Sequence, residues 1–170
     1  MVTLNDLSAL AVSTYHKQHM LITRFLDPGE LCDNELQLVL DDFHLPDDIR
    51  GVVPHYRFRM IHRLTRIYMG NISLRLSNIP PIVLYAGHIG YGVEEAYRGH
   101  RYAARAVLLL LAHARLHGIS PVWITCNPDN MPSRRSCELA GGSFIEIIDL
   151  PPDNPMYKMG ERQKCRYRLD

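Results

Sequence analysis

The stretch that decides the fold is "GYGVEEAYRGHRYAARAVLLLLAHAR", residues 90–115. It passes from a short apolar segment through two acidic residues into a cationic turn, and then into a long apolar run. Residues 102–117 are mostly Ala, Val and Leu, and Gly118 predicts the end of a helix there. The cationic turn, residues 98–101, therefore lies at the start of a helix that we expect to be buried.

A turn of this composition is suited to binding phosphate. The N-terminus of a helix presents unpaired backbone N–H groups and the positive end of the helix dipole, so an anion binds there readily. Gly99 allows the backbone to approach an anion closely. Arg98 and Arg101 add charge on planar, rigid groups. Without its surroundings, the same turn is equally typical of a solvated loop between a strand and a helix.

The chain before the turn predicts an antiparallel meander. "YRFRMIHRL", from Tyr56, alternates apolar and basic residues as a half-buried strand does. "RIYMGNISLRLS" predicts a second strand with a bulge or turn at Gly70 and Asn71, and residues 82–93 a third. Further upstream, "MLITRFLD" and "NELQLVL" have strand character, "LPDDIRGVVP" predicts a loop, and residues 1–19 fit either a helix or a strand.

The chain after the helix predicts alternating elements. Asn130 is a suitable N-cap, with Pro132 in the first turn and Gly141 at the end of a short helix. Strands are predicted on both sides of this helix and at the end of the chain, over residues 122–126 (fully buried), 143–150 and 164–170. The whole order predicts an α/β (α+β) sandwich with a mixed sheet, as a single domain over 1–170.

Composition limits the classes of function. The 170 residues are 46% hydrophobic and 22% charged, with a formal net charge of +1. This balance argues against a broad electrostatic grip on nucleic acid or membrane. The four cysteines form no CxxC pair, and the nine histidines form no HxH or HExxH pattern, so no metal site is predicted. The N-terminus lacks the pattern of a signal peptide, and a reducing cytoplasm is the expected location.

Two segments resemble the GNAT superfamily of acetyl-CoA-dependent N-acetyltransferases, in particular a branch of uncharacterised bacterial members. "GYGVEEAYRGHRYAARAV" is similar to its coenzyme signature, Arg or Gln, two residues, Gly, one residue, and Gly or Ala. Arg98 and Ala103 match the outer positions, and Arg101 stands where the family has the middle glycine. "VWITCNPDNMPSRRSCELAGG" is similar to the next family element, with Asn130 and Ser133 at matching positions.

The resemblance implies a GNAT fold with a mostly antiparallel central sheet, splayed at its fourth strand and flanked by helices. It covers residues 56–150 as the cofactor-binding core, while residues 1–50, which normally shape the acceptor side, match weakly. It also implies acetyl-CoA as co-substrate, no metal, and a homodimer formed through C-terminal edge strands. The positions implied to bind the coenzyme are Ile89, Tyr91, Val93, Arg98, Gly99, His100, Arg101, Tyr102, Ala103, Asn130, Ser133 and Arg135.

The chemistry implied by the resemblance is acetyl transfer to a primary amine. A base takes the proton of the amine, and an acid assists the leaving thiolate. The family's usual acid is a Tyr, and Cys137 occupies that position here, with Ser136 and Tyr157 as substitutes. His88 occupies the neighbourhood of the usual base. Cys137 and His88 are equally well interpreted as structural residues of the core.

Two other functions compete with the transferase. A GNAT-fold protein without catalysis would bind the coenzyme for regulation, and the substitutions at Arg101 and Cys137 keep this alternative open. The second alternative is that a basic strand face attracts an acidic acceptor or an RNA, although solvated sheet faces often carry such charge. Its residues are Arg57, Arg59, Arg63, Arg66 and Arg75. The sequence does not identify the amine acceptor.

Overall fold

The structure is a computed structural model that describes residues 25–47 and 51–170. The predictions for residues 1–19, and most of the strand predicted over 20–27, lie outside the described residues. Residues 25–30, which belong to the described part, form no regular element before the first strand.

A five-stranded antiparallel sheet forms the first half of the fold. Its strands are adjacent in chain order, which confirms the predicted meander. A register shift between Met60 and Ile61 leaves Met69 unpaired, so the bulge lies one residue before the predicted Gly70 and Asn71. The strands are β1 (Leu31–Cys32), β2 (Leu36–His44), β3 (His55–His62), β4 (Tyr68–Arg75) and β5 (Ile89–Val93).

The strand predicted over 82–93 is wrong in its first half. Residues Pro81–Ala86 form a single π-helical turn, and β5 begins at Ile89. Pro80 and Pro81 lack backbone donors and have a fixed φ, which suits the first turn of a helix better than a paired strand. A short apolar run such as "IVLYA" has no periodicity that separates a helix from a strand. Gly87, with φ of 71°, then ends the turn.

A three-stranded antiparallel sheet and three helices make up the second half. The sheet order is β6, β8, β7. Asn130, Pro132 and Gly141 cap and end α2 as predicted. In β6, however, Trp123 and Thr125 are half-buried, so this strand is buried on one face only. The elements are α1 (Tyr102–Leu116), β6 (Val122–Cys126), α2 (Met131–Leu139), β7 (Ser143–Asp149), α3 (Pro155–Lys158) and β8 (Gln163–Leu169).

The two sheets part after a single backbone contact, and this separation creates the site. The His88 amide donates to the Trp123 carbonyl at 2.7 Å. From Ile89 to Val93, β5 pairs with β4, while its edge toward β6 bonds to no other described backbone. Helix α1 packs on the large sheet, and Val107 and Leu110 share one core with Phe58 and its neighbours. This splayed α/β arrangement confirms the predicted fold class.

Candidate active site

An open cleft of about 760 Å³ lies where the two sheets part. One wall comes from the end of β5, the floor from the cationic turn and the first turn of α1, and the other wall from α2. The lining residues are Tyr91, Gly92, Val93, Tyr97, Arg98, Gly99, Arg101, Tyr102, Ala103, Asn130, Pro132, Ser133, Arg135, Ser136 and Leu139.

The backbone of the cationic turn has the conformation that the family glycine favours. Arg101 is the N-cap of α1, and its φ of 62° and ψ of 18° lie in the left-handed region. This conformation costs a residue with a side chain about 1–2 kcal/mol, whereas glycine adopts it freely. Gly99 also has a positive φ, of 85°. The substitution at Arg101 therefore keeps the path of the turn and adds a cation to the cleft.

Six consecutive amides at this turn have no acceptor among the described residues. The first helical bond of α1 runs from the Arg105 amide to the Arg101 carbonyl at 3.0 Å. The amides of residues 99–104 precede that bond and donate to no other described residue. Such a run of free N–H groups, with the helix dipole behind it, is a site for a phosphate or diphosphate.

An ion-pair clamp fixes the start of α1, and sequence reasoning missed it. Arg105 donates through Nε to Asp33 Oδ2 at 2.7 Å, through Nη2 to Asp33 Oδ1 at 2.5 Å, and through Nη1 to Glu35 Oε2 at 3.0 Å. The hydrogen bonds from Arg105 lower the pKa of Asp33 to about 2. The partners are about 70 residues apart in sequence, so no local pattern indicates them. The clamp holds the helix, and with it the turn, against the loop between β1 and β2.

The α2 wall is tied to β5 by a tyrosine. Asn130 Oδ1 accepts the Ser133 amide at 3.1 Å, which fixes the first turn of α2. The Tyr91 hydroxyl donates to the Ser133 carbonyl at 3.2 Å and lies 3.0 Å from Ser133 Oγ. Burial raises the pKa of Tyr91, so its hydroxyl stays protonated. This contact spans the gap between the sheets and places two hydroxyl groups on the cleft.

Ten of the twelve positions that the sequence indicated for the coenzyme line this one cleft. Ile89 does not, because its side chain is 1% exposed in the core. His100 is exposed beside the turn, with its ring 5.8 Å from that of Tyr102. Gly92, Tyr97 and Leu139 line the cleft without having been singled out. They belong to the elements that the family signature already placed there.

The structure does not place His88 in the cleft. Its side chain is fully buried, its Nδ1 accepts the Trp123 amide at 2.9 Å, and its Nε2 lies 3.1 Å from Asn78 Oδ1. Burial lowers the pKa of His88 to about 4, which leaves the ring neutral near pH 7. With both ring nitrogens engaged, His88 joins β5 to β6, which favours the structural interpretation over the predicted base.

Two of the three predicted acids, Cys137 and Tyr157, lie outside the cleft lining. Cys137 is fully buried, and a hydrogen bond with Cys126 together with burial raises its pKa. Tyr157 lies on α3, where Arg162 stacks 4.2 Å from its ring. Ser136 lines the cleft, but its Oγ donates to the Pro132 carbonyl at 2.9 Å. The buried position of the Cys137 thiol favours the interpretation as a packing residue, and its role as the acid stays a prediction.

Comparison with known proteins identifies the family. A family model described as an acetyltransferase (GNAT) domain matches residues 1–143. The chain belongs to the GNAT acetyltransferase family. No curated protein matches the sequence of this GNAT chain.

Solved structures support the GNAT fold. A protein from Vibrio cholerae, provisionally assigned as a ribosomal-protein-serine acetyltransferase, aligns with a TM-score of 0.57 and 15% identity over 85% of this chain and 99% of its own. RimL, a ribosomal L7/L12 alpha-N-protein acetyltransferase in complex with coenzyme A, aligns with a TM-score of 0.59 and 13% identity over 82% of this chain and 96% of its own. The microcin C7 self-immunity acetyltransferase MccE, in complex with acetyl-CoA and AMP, aligns with a TM-score of 0.51 and 14% identity over 67% of this chain and 59% of its own.

No helix within residues 25–47 and 51–170 is long and apolar enough to cross a membrane. The same residues contain no group of three or more His, Cys, Asp or Glu side chains arranged to hold a metal ion.

Proposed function

We propose that this protein is an N-acetyltransferase that uses acetyl-CoA to acetylate a primary amine. The observation that carries the proposal is the run of six acceptor-free amides at residues 99–104, placed at one end of a cleft beside an unpaired strand edge. The amides and Arg101 would bind the diphosphate. The free edge of β5 would bind the pantetheine arm, as an added strand does in a peptide complex.

The residues of the cleft have separate tasks in this proposal. When bound, acetyl-CoA supplies an activated acetyl group on a thioester. The free N–H groups on the edge of β5 are the donors available to the thioester oxygen, where negative charge develops. The Tyr91 hydroxyl, which lies 3.0 Å from Ser133 Oγ, would donate to the leaving sulfur in exchange for its bond to the Ser133 carbonyl. No carboxylate or imidazole lines the described cleft, so the amine proton passes to solvent.

A protein that binds the coenzyme without catalysis is the second candidate. The observation in its favour is that the described lining contains no carboxylate or imidazole to act as a base, together with the structural engagement of His88. Both candidates require the cationic turn, so coenzyme binding alone does not distinguish them. Acetyl transfer to an amine distinguishes them, because only the enzyme carries it out.

The test has two readouts. Acetyl-CoA at 100 times its dissociation constant should stabilise the folded protein by about 2.7 kcal/mol, measured as a rise in Tm. An enzyme must also release free CoA thiol, above the rate of hydrolysis, when a panel of amines is added. Stabilisation without release from any amine would favour the binding protein, and no stabilisation would refute both candidates.

The Tyr91→Phe variant tests the role of the hydroxyl. It removes the donor and leaves the ring that packs between β5 and α2. We expect CoA release to fall roughly tenfold, in line with the loss of one hydrogen bond of about 1–1.5 kcal/mol, while the acetyl-CoA shift in Tm stays unchanged. An unchanged rate of release would assign Tyr91 to packing.

A further inference from the structure

Three of the five arginines of the basic strand face have a carboxylate partner in the structure. Asp41 lies 3.2 Å from Arg59 and 3.9 Å from Arg57, and Glu30 lies 3.4 Å from Arg63. A fourth arginine of this face, Arg66, is exposed and donates to the amide oxygen of Gln37. The fifth, Arg75, is partly buried and has no carboxylate partner among the described residues.

The guanidinium of Arg75 keeps one side free. Nη1 donates to the Gly87 carbonyl at 3.1 Å and to the Ala86 carbonyl at 3.4 Å. Nε and Nη2 donate to nothing within residues 25–47 and 51–170. These two groups form the side of the guanidinium that binds a carboxylate through two parallel hydrogen bonds. Burial lowers the pKa of Arg75, although an arginine stays cationic in proteins.

Arg75 lies beside the end of β5 that is farther from the cationic turn. A Cβ atom on Gly90 would lie 3.4 Å from Arg75 Nη1 and 3.6 Å from Nη2. The lack of a side chain at Gly90 therefore leaves room next to the cation. Gly90 directly precedes Tyr91 in the cleft wall and is three residues, or roughly 10 Å of strand, from Val93. A coenzyme held at the turn and extended along β5 brings its thioester toward Gly90.

We propose that Arg75 binds a carboxylate on the acceptor, so that the acceptor class is primary amines that carry an acidic group. The proposal rests on the proposed function, because the position of the thioester end follows from coenzyme binding at the turn. It uses a cation without a counter-ion among the described residues, a guanidinium edge that bonds to none of them, and the space above Gly90. Arg75 is thus a specificity-determining residue, and its bonds to the 86–87 turn hold it in place.

The test uses pairs of amines that differ in one group. Each pair consists of two short peptides or small amines, identical except that a carboxylate in one is a carboxamide in the other. For the wild-type protein we expect kcat/KM to favour the acidic member at least tenfold in the best pair. In Arg75→Gln the preference should fall to about one, with the KM for acetyl-CoA within twofold of wild type. Arg75→Lys, which keeps the charge and loses the fork, should retain part of the preference.

Arg57→Gln is the matched control, because Arg57 lies on the neighbouring strand and is exposed beside Asp41. It should leave the acid-to-amide ratio unchanged. A wild-type ratio near one, or an Arg75→Gln variant that loses activity equally on both members of each pair, would overturn the inference and make Arg75 a structural residue. Loss of the folded state in Arg75→Gln would show as a lowered Tm. In that case the acid-to-amide ratio of kcat/KM for Arg75→Lys tests the inference, because a ratio equal to that of wild type would contradict a role of the guanidinium fork.

Failure of the proposed function has a different signature. In that case no amine releases CoA, and calorimetric titration of the same acid and amide pairs into the CoA complex replaces the kinetic ratio. Preferential binding of the acid, lost in Arg75→Gln, would support the anion site without catalysis. Equal binding of acid and amide, or none, would overturn it.

Discussion

The two ends of β5 satisfy their polar groups in opposite ways. Beyond Val93, six backbone amides have no acceptor in the described chain, and they lie at the mouth of an open cleft. Before Ile89, the amide and both ring nitrogens of His88 are engaged, and the ring is fully buried. One end is open to a ligand, whereas the other is a closed joint between the two sheets.

The difference shows why position within a family signature does not determine a role. His88 lies where the resemblance suggests a base, yet its hydrogen bonds to Trp123 and Asn78 hold the point from which the sheets diverge. Arg101 departs from the signature, yet it has the left-handed backbone that the signature glycine provides. Backbone conformation and hydrogen bonding, rather than residue identity, decide what each end can do.

The largest expected effect comes from closing the open end with Arg101→Pro. Proline has a fixed negative φ and no N–H, so it neither adopts the φ of 62° nor supplies its amide. We expect acetyl-CoA binding to weaken at least 30-fold, about 2 kcal/mol, which is within the range for a residue forced out of its native backbone region. Isothermal titration calorimetry measures this change directly.

Arg101→Gly is the matched variant, because it restores the family residue and keeps the backbone conformation. It removes one cation and also the cost of a side chain in the left-handed region. Acetyl-CoA affinity should stay within about threefold of wild type, and the free energy of unfolding should rise by up to about 1 kcal/mol. Equal affinity of the proline and glycine variants would show that the turn does not hold the coenzyme.

The next largest effect tests the closed end through His88→Asn. Asparagine keeps an acceptor near the position of Nδ1 and loses the contact of Nε2 with Asn78. We expect a loss of about 1–2 kcal/mol in the free energy of unfolding near pH 7, from an unsatisfied buried group. Coenzyme binding and CoA release, per folded molecule, should change less than threefold. A loss of release of 100-fold or more, with the acetyl-CoA shift intact, would restore His88 as the catalytic base.

The pH dependence of this variant sharpens the comparison. The pKa of His88 is about 4 in the folded protein and near 6.5 when unfolded. As the pH falls, His88 is therefore protonated in the unfolded chain before it is protonated in the folded protein. The contribution of neutral His88 to the free energy of unfolding is fully present above pH 6.5 and is lost as the pH falls toward 4. Urea unfolding should show the gap between wild type and His88→Asn narrowing over that range. A gap that is constant with pH would contradict the buried neutral ring.

Local sequence predicted the open end well and the closed end poorly. The cationic turn, the cap at Asn130 and the helix ends depend on residues a few positions apart, so periodicity and capping rules predict them. The roles of His88 and Arg75 depend on Trp123 and on the 86–87 carbonyls, which only the fold brings near. The π-helical turn before β5 was missed because its apolar residues fit a strand equally well.

The smallest expected effect concerns the clamp that supports the open end, tested by Asp33→Asn. Asn keeps the Oδ1 acceptor for the amides of Glu35 and Leu36, at 3.0 and 2.8 Å, and removes the charge that faces Arg105. The side chains of the pair are about 30% exposed, so we expect a loss of about 1 kcal/mol near pH 7. Acetyl-CoA binding should weaken by no more than about threefold, because the start of α1 is less well held.

The acid side of the stability curve separates the charge of Asp33 from its packing. The folded pKa of Asp33 is about 2, below its ordinary value of 3.8, so its contribution is present above pH 4 and is lost as the pH falls toward 2. The difference between wild type and Asp33→Asn should therefore vanish near pH 2. Asp41→Asn, whose partners Arg57 and Arg59 are exposed, should change stability by less than about 0.5 kcal/mol at any pH. An Asp33→Asn variant that behaved like Asp41→Asn in stability and coenzyme affinity would show that the turn is held without the clamp.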